Sequence, residues 1–177
     1  MLTTKQTKKT KNSIKIPNSI TNAKNVGTII LAFFFSNQLF DKKLNFYKIR
    51  KKTGINKITF EKNLINAVNQ FQEIPSMNIL YIGSLKSFLY KNVSKNYTSI
   101  KHKEFHFLLD KKLKLTEIGV YFIIKTFKNS KTKNCFPSYN TIAKKANISR
   151  RHAIRIVKKL IEKNVIDKQN NNYVFFF

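Results

Sequence analysis

The densest group of side chains able to do chemistry lies in residues 147–160, NISRRHAIRIVKKL. This stretch holds five cationic residues and no acidic one, with apolar residues spaced between them. Arginine guanidinium groups form paired hydrogen bonds to phosphate and to the major-groove edge of guanine, whereas lysine ammonium groups mainly hold phosphate. The chemistry that these residue types offer is therefore recognition of a polyanion.

The rest of the sequence offers few candidate residues for catalysis or metal binding. The 8 acidic residues are scattered, the 4 glycines form no phosphate-binding loop, and Cys135 is alone. The best rival is HKEFH, in which His102, Glu104 and His106 would share one face of a strand and could bind a metal. A strand with two ordinary histidines is the favoured interpretation. We therefore predict no catalytic residue, no metal site and no cofactor, and expect that the protein is not an enzyme.

The composition indicates a folded protein with a polyanionic partner. The chain has 177 residues, 42% of them hydrophobic, and its 35 basic against 8 acidic residues give a formal net charge of +27. Such a charge attracts nucleic acid or anionic membrane over long distances. The most apolar run, residues 26–35, is about half of the roughly 20 residues that a spanning helix needs, and it predicts a buried core helix. We expect double-stranded DNA as the partner, no membrane association, and a cytoplasmic location with the nucleoid or a plasmid. Basicity without a specific partner is the alternative.

Two stretches of the sequence are repeated at nearly the same spacing. VGTIILAFFF (26–35) lies 92 positions before IGVYFIIKTF (118–127), and IRKKTGINKITFEKNLINAV (49–68) lies 93 positions before IAKKANISRRHAIRIVKKLI (142–161). The second pair matches at cationic and apolar positions, including Ile55 with Ile148. A duplicated structural unit is therefore predicted.

The second unit contains three predicted helices. Leu115 to Phe127 forms the first, with Thr116 as its N-cap. Ser138 caps a short helix that ends at Ala146, and Asn147 supplies the left-handed residue of a sharp turn. Ser149 then caps the third helix, which runs to about Lys163.

The hairpin and the first unit complete the predicted architecture. VIDKQNNNYVFFF (165–177) predicts two strands around a polar tip at Asn170–Asn172. In the first unit the helices are predicted at 22–37, 46–53 and 57–71, followed by β-structure over 78–109. The fold class is α+β and mostly helical, with two tandem winged-helix domains and a β-hairpin connection. The predicted divisions are a flexible basic arm (1–24), a first winged-helix domain (25–100) and a second, DNA-binding one (101–177).

The helix after Ser149 separates apolar from basic side chains. At 100° per residue, one arc holds Ala153, Ile154, Ile156, Val157, Leu160 and Ile161, and the opposite arc holds Arg151, His152, Arg155, Lys158 and Lys159. In a helix-turn-helix the outward arc enters the major groove. We assign base contacts to Arg151, His152 and Arg155. We assign phosphate contacts to Ser138, Ser149, Arg150, Lys158 and Lys159.

Two further groups are candidate DNA contacts. Lys168, Asn170 and Asn171 at the wing tip would touch the adjacent minor groove or backbone. In the first unit, the outward set contains Lys57, Thr59 and Lys62, interrupted by Glu61. That surface either reads DNA weakly or serves packing and homodimerisation, and the sequence does not separate the two.

The second unit resembles the helix-turn-helix module of plasmid and phage replication initiators of low-GC bacteria. The resemblance rests on FPS (136–138), IA (142–143), ISRR (148–151) and LIEKNVI (160–166), and it covers about 70 residues. Similar modules also occur in transcriptional regulators. The duplicated unit is similar to the initiators with two winged helices, although the first unit has no FPS. The resemblance implies binding to repeated origin sites, with host replication proteins as further partners.

The function expected is therefore sequence-specific binding of double-stranded DNA as a plasmid-type or phage replication initiator. A transcriptional repressor or autoregulator that dimerises through the first unit is the runner-up. A nonspecific nucleoid or RNA-binding protein, in which charge alone acts, is a third alternative. Direct repeats in the target favour the initiator, and inverted repeats favour a dimeric repressor.

Overall fold

The computed structural model describes residues 13–37, 46–69 and 96–177. Within these ranges there are seven helices and four strands, so the predicted α+β and mostly helical class is confirmed. In chain order they are β1 (Ser13–Pro17), α1 (Ala23–Asn37), α2 (Phe46–Thr53), α3 (Lys57–Asn69), β2 (Tyr97–Lys101), α4 (His102–Asp110), α5 (Leu115–Lys125), α6 (Tyr139–Ala146), α7 (Arg150–Glu162), β3 (Ile166–Gln169) and β4 (Asn172–Phe175).

Helices α1 and α5 cross at the centre of the core. A Cβ atom on Gly27 would lie 2.3 Å from the carbonyl oxygen of Leu115, and one on Gly119 would lie 1.8 Å from that of Ala23. These contacts are reciprocal, because Gly119 lies 92 positions after Gly27 and Leu115 lies 92 positions after Ala23, which is the spacing of the sequence repeat. Along this contact the two helices run in opposite directions, at a distance that only glycine permits.

The apolar run in α1 is a buried core helix, as predicted. Val26, Ile29, Ile30 and Leu31 are all inaccessible to solvent. No helix within the described ranges has the length and apolar composition needed to cross a bilayer.

The three helices predicted for the first unit are confirmed with small differences at their ends. They are α1, α2 and α3, and the last two contribute the buried residues Ile49, Phe60 and Leu64 to the core. The wing predicted after them falls largely on residues 70–95, which lie outside the described ranges. The two-domain division of the chain stays a prediction.

The flexible arm predicted for residues 1–24 is wrong from Ser13 onwards. β1 pairs antiparallel with β2, with Ile14 opposite Ile100. Ile14 and Ile16 are buried because side chains of a strand alternate between its two faces. The sequence SIKIP shows that alternation, but the many lysines of residues 1–24 led to the prediction of a flexible arm. Residues 1–12 lie outside the described ranges.

Of the β-structure predicted for 78–109, the described part is a strand over Tyr97–Lys101 only, and HKEFH is the start of helix α4. The backbone N–H of Lys101 donates to Glu104 at 3.2 Å, which satisfies one free donor of the first helical turn. In a helix, Glu104 lies on a different face from His102 and His106, which are one turn apart. The β-forming residues of this segment are outweighed by burial of Phe105 and Leu108 in the core.

The second unit forms three helices followed by an antiparallel hairpin, which is compatible with a winged helix-turn-helix. One detail of the prediction is wrong, because Thr116 does not cap α5. The helix already includes Leu115, and the backbone N–H of Lys114 donates to Glu117 at 2.9 Å. The glutamate three residues into the helix caps its start without a serine or threonine partner.

Candidate nucleic-acid interface

The turn between α6 and α7 is fixed by two capped helices and one left-handed residue. The Ser138 hydroxyl accepts the backbone N–H of Thr141 at 3.1 Å, and the Ser149 hydroxyl accepts that of His152 at 3.2 Å. Asn147 between them has φ 50° and ψ 53°, in the left-handed region that asparagine tolerates. Both predicted caps and the predicted turn residue are confirmed. The direction of α7 is therefore set by local chemistry.

Helix α7 docks on the preceding helices through its apolar arc. Ala153, Ile156, Val157 and Leu160 are buried, whereas Ile154 and Ile161 at the edges of the arc are half-buried. The arc is therefore narrower than the six residues that the sequence predicted. The buried stripe fixes the rotation of the helix about its axis, and with it the direction of every basic side chain.

The outward face of α7 is cationic and accessible. Arg150, Arg151, Arg155 and Lys158 are exposed, and His152 is half-buried beside them. The acidic residue nearest along the helix is Glu162, in its last turn. Arginine and lysine side chains on a free helix face can reach base edges and phosphates when the helix enters a groove.

Lys159 differs from the other cations assigned to this face. Its ammonium lies 4.0 Å from the carboxylate of Glu117, a buried residue on α5, and Lys163 lies 3.3 Å from the same group. Both lysines thus compensate a buried charge at the back of α7. The structure places Lys159 at the edge of the outward face, where holding Glu117 competes with holding a phosphate.

The hairpin of β3 and β4 stands beside the start of α6. Asn170 and Asn171 form its tip with φ values of 48° and 63°, as a tight turn between twisted strands requires. The backbone N–H of Cys135 donates to the Asn172 side chain at 2.7 Å, and the N–H of Tyr173 donates to Cys135 at 2.8 Å. Two hydrogen bonds therefore tie the wing to the loop before α6.

Lys168 of the wing packs between two tyrosine rings. Its ammonium lies 4.3 Å from the ring centre of Tyr139 and 5.5 Å from that of Tyr173. Such cation–π contacts hold the charge while leaving it able to meet a phosphate. Burial raises the pKa of the Tyr173 phenol above its ordinary value.

Together these elements surround an open groove that we call the wing groove. It has a volume of 460 Å³ and joins the start of α6, the start of α7 and the wing tip. It is lined by Phe136, Pro137, Ser138, Tyr139, Asn140, Arg150, Lys168 and Asn171. The structure thus brings together Ser138, Arg150, Lys168 and Asn171, which were predicted separately. Phe136, Tyr139 and Asn140 were missed, although Phe136 belongs to the FPS signature and the other two follow it directly.

A second recess on α6 adds cations that the sequence did not single out. It is lined by Thr21, Asn140, Thr141, Lys144 and Lys145, with a volume of 520 Å³. Lys144 is exposed, whereas the Lys145 ammonium donates to Thr126 at 2.8 Å. Burial lowers the pKa of Lys145 below its ordinary value. The first helix of a helix-turn-helix crosses the DNA backbone, so Lys144 is placed for a phosphate.

The candidate residues of the first unit lie on α3 and are separate from these grooves. Lys57, Thr59 and Lys62 are exposed, and the Lys57 ammonium lies 3.8 Å from Glu61. Ile58 on the same helix is 78% exposed and Ile65 is 40% exposed. The surface mixes cationic groups, which suit a DNA contact, with apolar groups, which suit packing against a protein.

Glu104 is not available as the third ligand of the metal site that HKEFH could form. Glu104 is buried and accepts hydrogen bonds from the Tyr121 hydroxyl at 2.7 Å and from Lys125. The rings of His102 and His106 lie 4.5 Å apart. Within the described ranges no group of three or more histidine, cysteine or acidic side chains is arranged to hold a metal ion.

Comparison with known proteins gives one match. A family model of a helix-turn-helix domain matches residues 111–166, which include α5, α6 and α7 in full. No curated protein and no solved structure matches the chain. A helix-turn-helix domain is a DNA-binding module, so DNA is the partner that this match indicates.

Proposed function

We propose that this protein binds duplex DNA sequence-specifically by placing the outward face of α7 in the major groove. The observation that carries the proposal is the exposed set Arg150, Arg151, Arg155 and Lys158 on a helix of a matched helix-turn-helix domain. Arg151, His152 and Arg155 read bases, since arginine pairs bidentately with guanine. Arg150 and Lys158 hold phosphates on either side.

The wing and α6 extend this contact along the DNA backbone. Lys168, Asn170 and Asn171 at the hairpin contact the neighbouring phosphates or minor groove, and Ser138 and Lys144 contact phosphates near the start and end of α6. Each contact is sequence-independent and fixes the register in which α7 meets the bases. Within this scheme the protein has no catalytic role.

We further propose that the protein is a plasmid-type replication initiator with two tandem winged helices. The support is the sequence repeat, the three helices in each unit, and the reciprocal packing of α1 on α5. The second unit also carries the FPS and ISRR motifs that resemble those of replication initiators. Two units in one chain would cover a longer site than a single winged helix can.

A transcriptional regulator is the second candidate, and one observation favours it. Ile58 is 78% exposed on α3, on the same helix as Ile65. Exposed aliphatic residues on one helix suit a homodimer interface better than a DNA backbone contact. A dimeric regulator would use α3 for self-association and α7 for DNA.

The experiment that tests these proposals is selection of bound duplexes from a random pool at about 150 mM salt, near physiological ionic strength. An enriched motif is expected, and its absence with salt-sensitive binding retained would overturn sequence-specific recognition. Location of the motif in the host replicon separates the two candidates. Tandem direct copies at an origin support the initiator, and a palindrome at a promoter supports the regulator.

A further inference from the structure

One aromatic residue of the wing groove has no role in the proposed contacts with duplex DNA. Phe136 is 59% exposed and lies in the loop just before α6, in the groove that Arg150 of α7 and Lys168 of the wing also line. The backbone of a duplex offers only sugar and phosphate to such a ring. The faces of the bases are covered by their stacked neighbours. An exposed phenyl ring at a nucleic-acid surface instead suits the face of an unstacked base.

The other groove residues can contact the phosphate and the base edge of a nucleotide. Arg150 and Lys168 are cations for the phosphate, and none of the residues that line the groove is acidic. Asn140 and Asn171 carry amides that can donate to and accept from a base edge. The volume of 460 Å³ is in the range of small-ligand sites.

Contacts within the protein hold the groove in shape before any ligand arrives. Lys168 lies over the ring of Tyr139 at 4.3 Å, so the wing and α6 border the groove at a fixed separation. The hydroxyl of Ser138 bonds to Thr141, and Pro137 is buried, so Phe136 projects from an anchored segment. A preformed site binds with little loss of conformational entropy.

From this arrangement we propose that the wing groove binds an unpaired nucleotide of DNA, with its base stacked on Phe136. The phosphate that joins this nucleotide to the bound duplex is the one that Arg150 and Lys168 hold. The inference rests on the proposed function, since α7 holds the neighbouring duplex. The protein then binds a junction between paired and unpaired DNA more tightly than a closed duplex of the same sequence. Opening of the duplex beside the recognised site would be stabilised by this capture.

The test compares three DNAs built on the selected motif: a closed duplex, the same duplex with a short unpaired bubble beside the motif, and the bubble strand alone. A fluorescent 2-aminopurine replaces one unpaired base, because its fluorescence changes when the base leaves the stack of its neighbours. Phe136→Ala removes the proposed stacking partner. Phe176→Ala is the matched control, because Phe176 is 54% exposed and lies outside the groove.

The expected result is tighter binding to the bubble than to the closed duplex, with a change in the fluorescence of the 2-aminopurine. Phe136→Ala should weaken bubble and single-strand binding by about 5- to 150-fold, the range for loss of one stacked base. Its closed-duplex affinity should stay within about twofold of the wild type, and Phe176→Ala should leave all three affinities unchanged.

Two results would overturn the proposal: equal affinity of the wild type for bubble and duplex, or equal losses on all three DNAs in Phe136→Ala. Failure of the proposed function has a different signature. In that case the wild type shows no sequence preference on the closed duplex, whatever Phe136 does on unpaired strands.

Discussion

Arg151 and Lys158 are both exposed on α7, but their side chains suit different parts of DNA. Arg151 is in the first turn, which leads into the groove, and its planar guanidinium can pair with guanine. Arg151→Ala should cost about 1–3 kcal/mol at the selected site and relax the preference at one position. Binding measured on the site and on its single-base variants checks this.

Lys158→Ala is the matched comparison for Arg151→Ala. It should weaken all sequences alike, because a phosphate contact carries no base information. Lys158 is preferable to Lys159 here, since Lys159 also lies 4.0 Å from Glu117 and its removal would disturb that buried carboxylate. Identical specificity profiles for the two variants would show that Arg151 does not read a base.

Glu104 joins α4 to α5 through a buried polar cluster. Its carboxylate accepts hydrogen bonds from the Tyr121 hydroxyl, Lys125 and the backbone of Lys101, while its own exposure is 2%. Burial lowers the pKa of Lys125, although Glu104 acts in the opposite direction. Glu104→Gln should therefore reduce the free energy of unfolding by about 2–4 kcal/mol, because a mostly buried ammonium loses its counter-charge.

Tyr121→Phe gives a loss of stability with which the effect of Glu104→Gln can be compared. It removes one hydrogen bond to a charged group and should cost about 1.5–3 kcal/mol in the same urea denaturation measurement. Glu104→Gln is expected to cost at least as much. If Glu104→Gln reduced the free energy of unfolding by less than Tyr121→Phe, the Lys125 ammonium would have to be hydrated when its partner is neutral.

His102 makes the stability of the fold depend on pH. Its pKa is lowered from the ordinary 6.5, first by burial and second by the charge of His106. The unfolded chain takes up the proton at a higher pH than the folded one, so unfolding becomes easier as the solution is acidified. The contribution of His102 is fully present above pH 6.5 and is lost as pH falls through the lowered pKa.

The measurement is the free energy of unfolding of the wild type and of His102→Gln between pH 7.5 and 5. The wild type should lose more stability than the variant over this interval. Parallel curves for the two proteins would exclude His102 as the titrating group.

At the scale of the element, the crossing of α1 and α5 depends on two glycines. Alanine is normally a better helix former than glycine by about 1 kcal/mol. In Gly119→Ala, however, the added Cβ would lie 1.8 Å from a backbone oxygen that cannot rotate away. The helices must separate, and we expect a net loss of about 1–3 kcal/mol in the free energy of unfolding.

Gly27→Ala should act in the same direction, since its Cβ would lie 2.3 Å from Leu115. Thermal or urea denaturation of both variants checks the expectation. A protein stabilised by Gly119→Ala would show that α1 and α5 do not pack at the distance described here.

The elements that the sequence predicted well carry their own local signals. Ser138, Asn147 and Ser149 specify the ends of α6 and α7 through side-chain caps and one left-handed residue, and all three are placed as predicted. The repeat likewise located α1 to α3. Most of the candidate interface could therefore be anticipated from short-range chemistry, apart from Phe136, Tyr139 and Asn140.

The elements that the sequence missed depend on distant contacts. β1 forms because Ile14 and Ile16 are buried on pairing with Tyr97–Lys101, a partner far along the chain. α4 forms from β-prone residues because Phe105 and Leu108 reach the core. Tertiary burial outweighs intrinsic propensity in both segments. The engagement of Lys159 by Glu117 also joins two elements and has no local signature.

At the scale of the whole molecule, the charge of +27 far exceeds what one recognition helix contributes. Such an excess speeds association with DNA and makes affinity sensitive to salt, because each neutralised phosphate releases condensed counterions. The described cations on α6, α7 and the wing all belong to the proposed interface, so we expect them to act together on one DNA segment.

If six to eight phosphates are neutralised, the logarithm of the affinity should fall with the logarithm of salt concentration at a slope of about −5 to −7. Titrations from 50 to 300 mM salt on the selected duplex measure it. Lys158→Ala should make the slope shallower by about 1, while Arg151→Ala should change the intercept on the selected site more than the slope. A wild-type slope near zero would mean that the basic face of α7 does not meet phosphate, and the interface would have to lie elsewhere on the molecule.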